Sequence, residues 1–465
     1  METKRRRLEP SPRCAAEGPL TAHPLNPRYF VDPSGHTVYL TGSHTWANVQ
    51  ERRYPETPTF DYSAYLHWLA SLNHNCTRLW AWEHASWMQF TDRRVEYAPN
   101  RYQRTGPGLA RDGLPRFDVT RFDESYFSRL RERVQLAGEM GIYVLVMFFQ
   151  GFSIEQKLAE EIDPTVGDPW QGHPFHRDNN INGIDGDPHD IGRGRLVHTL
   201  ALPRITALQE QYVRRVVALL NDQDHVIWEI SNESPGSSVN WQYQMISLIK
   251  DIERMLPKQH LVLMTFPYDG VDNGSNEALW DSPAEAISPN PEGGYKDNPP
   301  PADGSKIVIS DTDHLWGIGG NADWVWRSFL AGHHPIFMDP YLDVRGGEIY
   351  DAQWEPVRRA MGHTLAYAQR LDLAKMTPAD ELVDTGRCLA HRGNAYLIYL
   401  PGDVDAVFVD LSDISGAMSV EWFNPQTEEL FDAWDVAGGQ RVRLCQPDAD
   451  YRVVLVQLRN AQDCA

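Results

Sequence analysis

Cysteine is scarce: the 465 residues contain five, from Cys14 to Cys464, and no two form a CxxC pair. That supply offers neither a disulfide framework nor a zinc signature. No apolar run approaches the roughly 18 residues that a membrane-spanning helix needs, which excludes a helical membrane protein. Positive charge is also short, with 43 Lys and Arg against 64 Asp and Glu and a formal net charge of −21. Phosphate backbones and anionic bilayers are repelled on average by such a chain, so neither a nucleic acid nor a membrane is an expected partner. Lys4, Arg5, Arg6 and Arg7 have no apolar stretch behind them. No secretory leader is therefore expected, the default location is cytoplasmic, and residues 1–20 read as a disordered basic tail. Asn273-Gly274-Ser275 spells a glycosylation sequon, which without a leader reads as a turn. No repeat of fixed period is present.

Aromatics, by contrast, are plentiful, with 15 Trp and 19 Tyr. Flat aromatic faces hold sugars by stacking, although most such rings serve as core. From His23 onward, strand-like and helix-like segments alternate. A hairpin turning at Asp32-Pro33-Ser34-Gly35 leads into a strand that ends at Gly42-Ser43-His44-Thr45-Trp46. Asp61 then caps a helix whose Tyr62, Tyr65, Leu66, Leu69 and Leu72 keep a 3.6-residue period. Later strands are expected at 75–82, 142–149, 225–231, 261–266, 306–310 and 335–338, with a weaker one at 284–288. The run at 142–149 is apolar almost throughout, as a strand buried on both faces must be. Eight such units separated by amphipathic helices predict an α/β fold, a (β/α)8 TIM barrel over residues 21–374. A doubly wound open sheet is the competitor, but Gly42-Ser43-His44 is not the glycine-rich phosphate turn it would want. Short strands separated by Gly, Pro and Asp turns predict a small antiparallel β-sandwich over residues 375–465, a domain without a catalytic residue.

Chemistry in such a barrel belongs at the C-terminal ends of its strands. The fourth strand reads Trp228-Glu229-Ile230-Ser231-Asn232-Glu233, and two-residue alternation puts Glu229, Ser231 and Glu233 on one face. The seventh supplies Asp311, Asp313 and His314. If the strand stays extended, the two aspartates point the same way, with Asp313 about 6 to 7 Å nearer the mouth. Opposed carboxyls are what glycoside hydrolysis requires, one to protonate the leaving oxygen and one to attack carbon or activate water. Arg78, His44, Trp46, Trp80, Glu83, Trp316 and Asp339 also stand at strand ends and are candidate substrate contacts. Core packing is the rival role for the Trp residues, and ion pairing for the acids. Glu229 reads as a deep partner of Arg78. The loop at 152–202 adds His173, His176, Asn179, Asn180 and Asn182, which could bind hydroxyls or close turns on their own backbone. Two further functions stay open. Asp311, Asp313 and His314, with His173 and His176, could hold a metal in a metal-dependent hydrolase, and the barrel could bind carbohydrate without cleaving it.

The Asn232-Glu233 strand end resembles that of clan A glycoside hydrolases. Asn26-Pro27-Arg28-Tyr29-Phe30, Leu40-Thr41-Gly42-Ser43-His44-Thr45-Trp46, Asn179-Asn180-Ile181-Asn182-Gly183 and the segment 311–317 are similar to an apiosidase-like, DUF4038-type group within that clan. There a C-terminal β-sandwich of a type labelled collagen-binding follows the barrel, and Glu421-Trp422-Phe423-Asn424-Pro425 looks like part of one. The resemblance implies a retaining glycosidase that needs no cofactor and acts on an oligo- or polysaccharide. It implies Glu233 as acid/base, Asn232 beside the sugar's 2-hydroxyl, Arg78 orienting the nucleophile, and a seventh-strand Asp as that nucleophile. Asp311 is favoured over Asp313, because it follows the small Ser310 that closes the apolar run. The chain departs from the clan in carrying Asp where Glu is usual on the seventh strand.

Overall fold

The structure is a computed structural model that describes residues 5–9, 16–54, 59–89, 91, 93–157, 167–268, 275–341 and 351–458. Asn273 and Gly274 of the sequon lie outside the described residues. Eight parallel strands form the central sheet: β1 (Gly42–His44), β2 (Cys76–Leu79), β3 (Tyr143–Gln150), β4 (Val226–Asn232), β5 (Val262–Thr265), β6 (Ala286–Ser288), β7 (Ile307–Asp311) and β8 (His334–Met338). They pair in the order β1-β8-β7-β6-β5-β4-β3-β2. The seam between β1 and β2 is drawn together by Thr41, whose carbonyl accepts from Asn75 N and Cys76 N and whose N–H donates to Asn75 Oδ1. The expected TIM barrel is thus present, near closed, and its weakly marked sixth strand is real.

Around it lie α1 (Tyr62–Ser71), α2 (Glu124–Glu139), α3 (Pro203–Leu220), α4 (Val239–Glu253), the short α5 (Glu277–Trp280) and α6 (Thr312–Leu315), α7 (Ala322–Leu330) and α8 (Glu355–Arg370). Asp61 starts α1 by accepting from Ala64 N, satisfying one of the donors that every helix N-terminus leaves open. Period decides which way each residue faces. Leu145, Ile227, Leu263, Ile307 and Ile336 pack inside the barrel, while their neighbours Val144, Val146, Trp228, Val262 and Val308 meet the helices.

Two features were not anticipated. A long antiparallel hairpin, Tyr102–Leu109 with Pro115–Phe122, stands between β2 and α2. Its Phe117 and Val119 pack with Trp170, Phe175, Ile184 and Val197, so it supports the loop that follows β3. Pro107, flanked by Gly106 and Gly108, hides Tyr102–Leu109 from a strand pattern. Secondly, Arg5–Arg7, read as disordered tail, forms a strand on Glu429–Asp432, because Arg6 meets Asp432 at 2.7 Å and Glu421 at 3.0 Å.

Toward the C-terminus the sheets are antiparallel. One runs through Thr377–Pro378, Arg387–His391, Ala395–Tyr399, Val453–Leu458, Ala417–Asn424 and Glu429–Asp432, and a second pairs Ala406–Asp410 with Arg441–Cys445. Tyr396, Ile398, Val454 and Val456 from the first share a core with Val407, Val409 and Leu444 from the second. The opposite face of the first sheet covers α7 and α8: Trp326 stacks on Tyr399 at 5.8 Å, and His363 and Tyr367 meet the Phe423 ring. A chain ending at Thr377 would expose Trp326, His363 and Tyr367. It is expected to lose solubility, read as the soluble fraction after expression.

Candidate active site

The C-terminal ends of the barrel strands open onto a cavity of about 660 Å³ lined by Trp46, Trp80, Trp82, Phe152, Phe266, Tyr268 and Trp316 among the rings, and by Gln150, Asn232, Glu233, Asp313 and His314 among the polar groups. Trp80 and Trp82 are stacked at 5.5 Å and 24°, and Trp46 meets both edge-on. Such faces suit ligands with flat C–H surfaces.

Arg78, at the end of β2, organises the floor. Its Nε and Nη2 donate to Glu229 at 2.7 and 2.5 Å, Nη2 to Asn232 Oδ1 at 2.6 Å, and Nη1 to Asp313 at 2.9 Å and Asp311 at 3.3 Å. A guanidinium is suited to this because its planar donors point in fixed directions. That Arg78 reaches both Glu229 and Asn232 shows that strict alternation fails at the end of β4. Ser231 turns away to meet Ser234 instead, and Glu233 takes a left-handed backbone, φ 47°, from which it lines the cavity. A non-glycine residue held there costs of order 1–3 kcal/mol, and such strain gathers at functional sites. Neighbours enforce it: Lys157 Nζ donates to the Glu233 carbonyl, and a side chain on Gly151 would overlap that same carbonyl.

The seventh strand also departs from expectation. β7 stops at Asp311, whose carboxylate accepts from Asp313 N at 2.9 Å and caps α6. Asp313 therefore rides on the first turn of a helix. It lines the cavity, whereas Asp311 lies behind the lining, held by His44 Nε2 at 3.0 Å and by Arg78. His44 is likewise behind the wall: its Nδ1 accepts from the Trp80 indole at 2.9 Å, which leaves Nε2–H to donate to Asp311. His314 is fixed by the same reasoning. Asn232 Oδ1, already accepting from Arg78, accepts His314 Nε2–H at 3.0 Å, and Ser288 Oγ donates to Nδ1 at 2.7 Å.

These surroundings separate the acids. Burial pushes the Glu233 carboxyl well above the ordinary glutamate range, Asp313's charge pushes it further, and Lys157 and Arg78 offset only part. Burial also raises Asp313, but Arg78 limits the rise to about 6. Burial opposes ionisation of Asp311 too, yet its bonds to His44 and Arg78 prevail and hold it well below the usual carboxylate range. Burial lowers His314 to about 3, so its ring is neutral. Burial and the charge of Asp313 thus favour the neutral form of Glu233, while Arg78 favours the ionised form of Asp313 in the same cavity.

Several expected contacts are placed elsewhere. Glu83 does not line the cavity; it accepts from Gln150 N at 2.9 Å and meets His198 at 2.8 Å. Asp339 forms a buried two-pronged pair with Arg358, both contacts 2.7 Å, tying β8 to α8. Asp339→Ala would leave that guanidinium buried without its anion, so a loss of about 3–5 kcal/mol is expected in denaturant unfolding. His173 and His176 accept from Phe175 N and Asp178 N, and Asn180 binds the carbonyls of Pro174, His176 and Ile184. All three residues close the loop on itself, because short polar side chains find nearby backbone before they find a ligand. Asn179 binds Gln171 O and His173 O in the same manner, whereas Asn182 ties the loop to the hairpin, accepting from Val119 N at 2.8 Å and donating to Asp118 at 2.9 Å.

Among the described residues, one group, Asp311, Asp313 and His314, brings metal-type ligand atoms together. Its donors are committed to other partners: Arg78 already supplies a cation to both carboxylates, and each His314 nitrogen has a hydrogen bond. His173 and His176 are not part of that group. Sequence reasoning also passed over Gln150, Trp82, Phe152, Tyr268 and His198. For Gln150 a signal existed, since it is the first polar residue after the apolar run of β3.

Residues 77–274 match a family model described as a domain of unknown function, DUF6298. No curated protein matches the chain. A solved glycoside hydrolase family 5 protein from Bacteroides vulgatus ATCC 8482 superposes with a TM-score of 0.59 at 14% identity, over 95% of this chain and 94% of that one. Another solved structure, described as a glycoside hydrolase, gives 0.57 at 14% identity over 95% and 97%. At such identity the likeness establishes a shared barrel fold.

Proposed function

We propose that the chain is a glycoside hydrolase of the retaining kind, with Glu233 as acid/base and Asp313 as nucleophile. One observation carries the reading: Glu233 and Asp313 line the same aromatic cavity, with burial favouring the neutral form of Glu233 and Arg78 gripping Asp313 at 2.9 Å. Glu233 would donate its proton to the glycosidic oxygen as an Asp313 oxygen attacks the anomeric carbon. The carbon–oxygen bond breaks and the aglycone leaves with the proton. Glu233, now ionised, would take a proton from water, whose oxygen displaces Asp313 and returns it to carboxylate. Arg78 would stabilise Asp313 while it carries charge, and Asn232, aligned by Arg78, His314 and Gln150, could hold a ring hydroxyl.

The assignment revises the expectation that Asp311 attacks. Asp311 sits behind the lining with its oxygens committed to His44, Arg78 and the α6 cap, which suits an orienting role. Names of structural neighbours support a sugar substrate, and the residues that resemble the apiosidase-like group make apiosides early candidates. The test is a screen of aryl glycosides, including pentosides and apiosides, and of plant and bacterial polysaccharides. Product configuration would then be followed by proton NMR. A first-formed product with the substrate's anomeric configuration is expected; inverted product would reject the covalent step, and no hydrolysis across the panel would count against the glycosidase.

A further inference from the structure

Behind the cavity wall, three buried side chains from distant parts of the chain form a line. Glu83 Oε1 lies 2.8 Å from His198 Nε2, and His198 Nδ1 lies 2.8 Å from Ser234 Oγ. The order serine, histidine, carboxylate is that of a nucleophilic triad. Ser234 is nevertheless fully buried and outside the cavity lining, so its oxygen has no path to a substrate. Another task must be sought for the line.

Its hydrogen bonds run one way. The Glu83 carboxylate, held well below the ordinary range because His198, His173 and Arg101 outweigh burial, can only accept. His198 Nε2–H therefore donates to it, which leaves Nδ1 to accept the Ser234 hydroxyl proton. Ser234 Oγ in turn is left to accept from Ser231 Oγ. The imidazole cannot swing away, since it stacks on Trp241 at 4.6 Å and 9°. The same Glu83 oxygen accepts from Gln150 N at 2.9 Å, so one carboxylate ties down the ends of both β3 and β4.

What stands between the pinned residues is Glu233. Before it, Thr265 Oγ1 donates to Ser231 O at 2.6 Å and accepts from Glu233 N at 3.3 Å; after it comes Ser234. We propose that His198 is a positioning residue for Glu233: through Ser234, and anchored by Glu83, it keeps the left-handed backbone that carries the acid/base into the cavity. This rests on the reading of Glu233 given above. Without the line, Ser234 is free to turn and Glu233 relaxes away from the leaving-group oxygen.

The test compares His198→Phe, which keeps a ring but breaks the line, with Ser234→Ala, the smallest change at its other end, and His198→Gln, which keeps hydrogen-bonding groups. Each is assayed on two aryl glycosides of the sugar found in the screen, one with a phenol and one with a dinitrophenol leaving group. In the first step a misplaced acid matters only where the leaving group needs its proton, so kcat/KM, which reports that step, should fall by about 10- to 100-fold on the phenyl glycoside in the first two variants. On the dinitrophenyl glycoside kcat/KM should fall by no more than about threefold, and His198→Gln should recover part of the loss. Equal losses of kcat/KM on both substrates in folded protein, or no loss in Ser234→Ala, would overturn the proposal. If His198→Phe does not fold, Ser234→Ala decides alone. Glu233→Gln runs alongside: should it show no leaving-group dependence, the acid reading itself fails, and that outcome is distinct from a failure of the line.

Discussion

Asp313→Gly is expected to lower turnover by on the order of 10⁴-fold or more, since it removes the carboxylate proposed to bond the anomeric carbon. The loss should be repaired chemically. Azide, small enough for the space the side chain leaves, should attack the same face of the sugar and release a glycosyl azide of inverted configuration, because the second displacement no longer occurs. The control is Asp311→Gly. Asp311 caps α6 and accepts from His44 and Arg78, so its removal loosens the turn that carries Asp313 without opening a route to the anomeric carbon. Activity should fall there as well, but azide should not restore it. Rescue of Asp311→Gly alone would reverse the assignment, and the chain would then follow the order expected from its sequence.

That sequence and geometry rank the two aspartates differently has a local cause. An extended strand was assumed to continue through Asp313, yet an Asp at the end of a strand is itself a strong helix N-cap, and Asp311 takes that role at once. A similar limit applies at β4. The Asn-Glu pair was legible as a strand end, as were the barrel and the pairing of Glu229 with Arg78, because all of these follow from periodicity and from the cost of a buried charge. The backbone break that carries both Asn232 and Glu233 to the cavity was not, since it depends on Gly151, Lys157 and Thr265 from other elements. In the loop after β3, His173, His176 and Asn180 looked like ligands by residue type alone. Their partners turned out to be carbonyls and N–H groups a few residues away. Glu83 and His198 are 115 residues apart, and no spacing rule joins residues so distant.

Glu233→Gln is expected to cost about 10²–10⁴-fold on glycosides with poor leaving groups and far less in the first step of activated ones. Its pH profile is more diagnostic than its rate. In the parent, kcat/KM should rise with an acid limb near 6, where Asp313 ionises, and fall along an alkaline limb well above the ordinary glutamate range, where Glu233 loses its proton. Asp313 titrates first, while Glu233 is still neutral, so its limb owes nothing to a charge on Glu233. Glu233→Gln should therefore delete the alkaline limb and leave the acid limb in place. Stability should move in the opposite direction to activity. Between the usual glutamate value of 4.5 and the raised one, the folded protein binds a proton at Glu233 that the unfolded chain has lost, so parental stability declines as pH rises through that window. Glutamine has no proton to lose, and at neutral pH the variant should unfold at equal or higher denaturant concentration than the parent. A profile that keeps both limbs would assign the alkaline one to another group and remove Glu233 from the acid role.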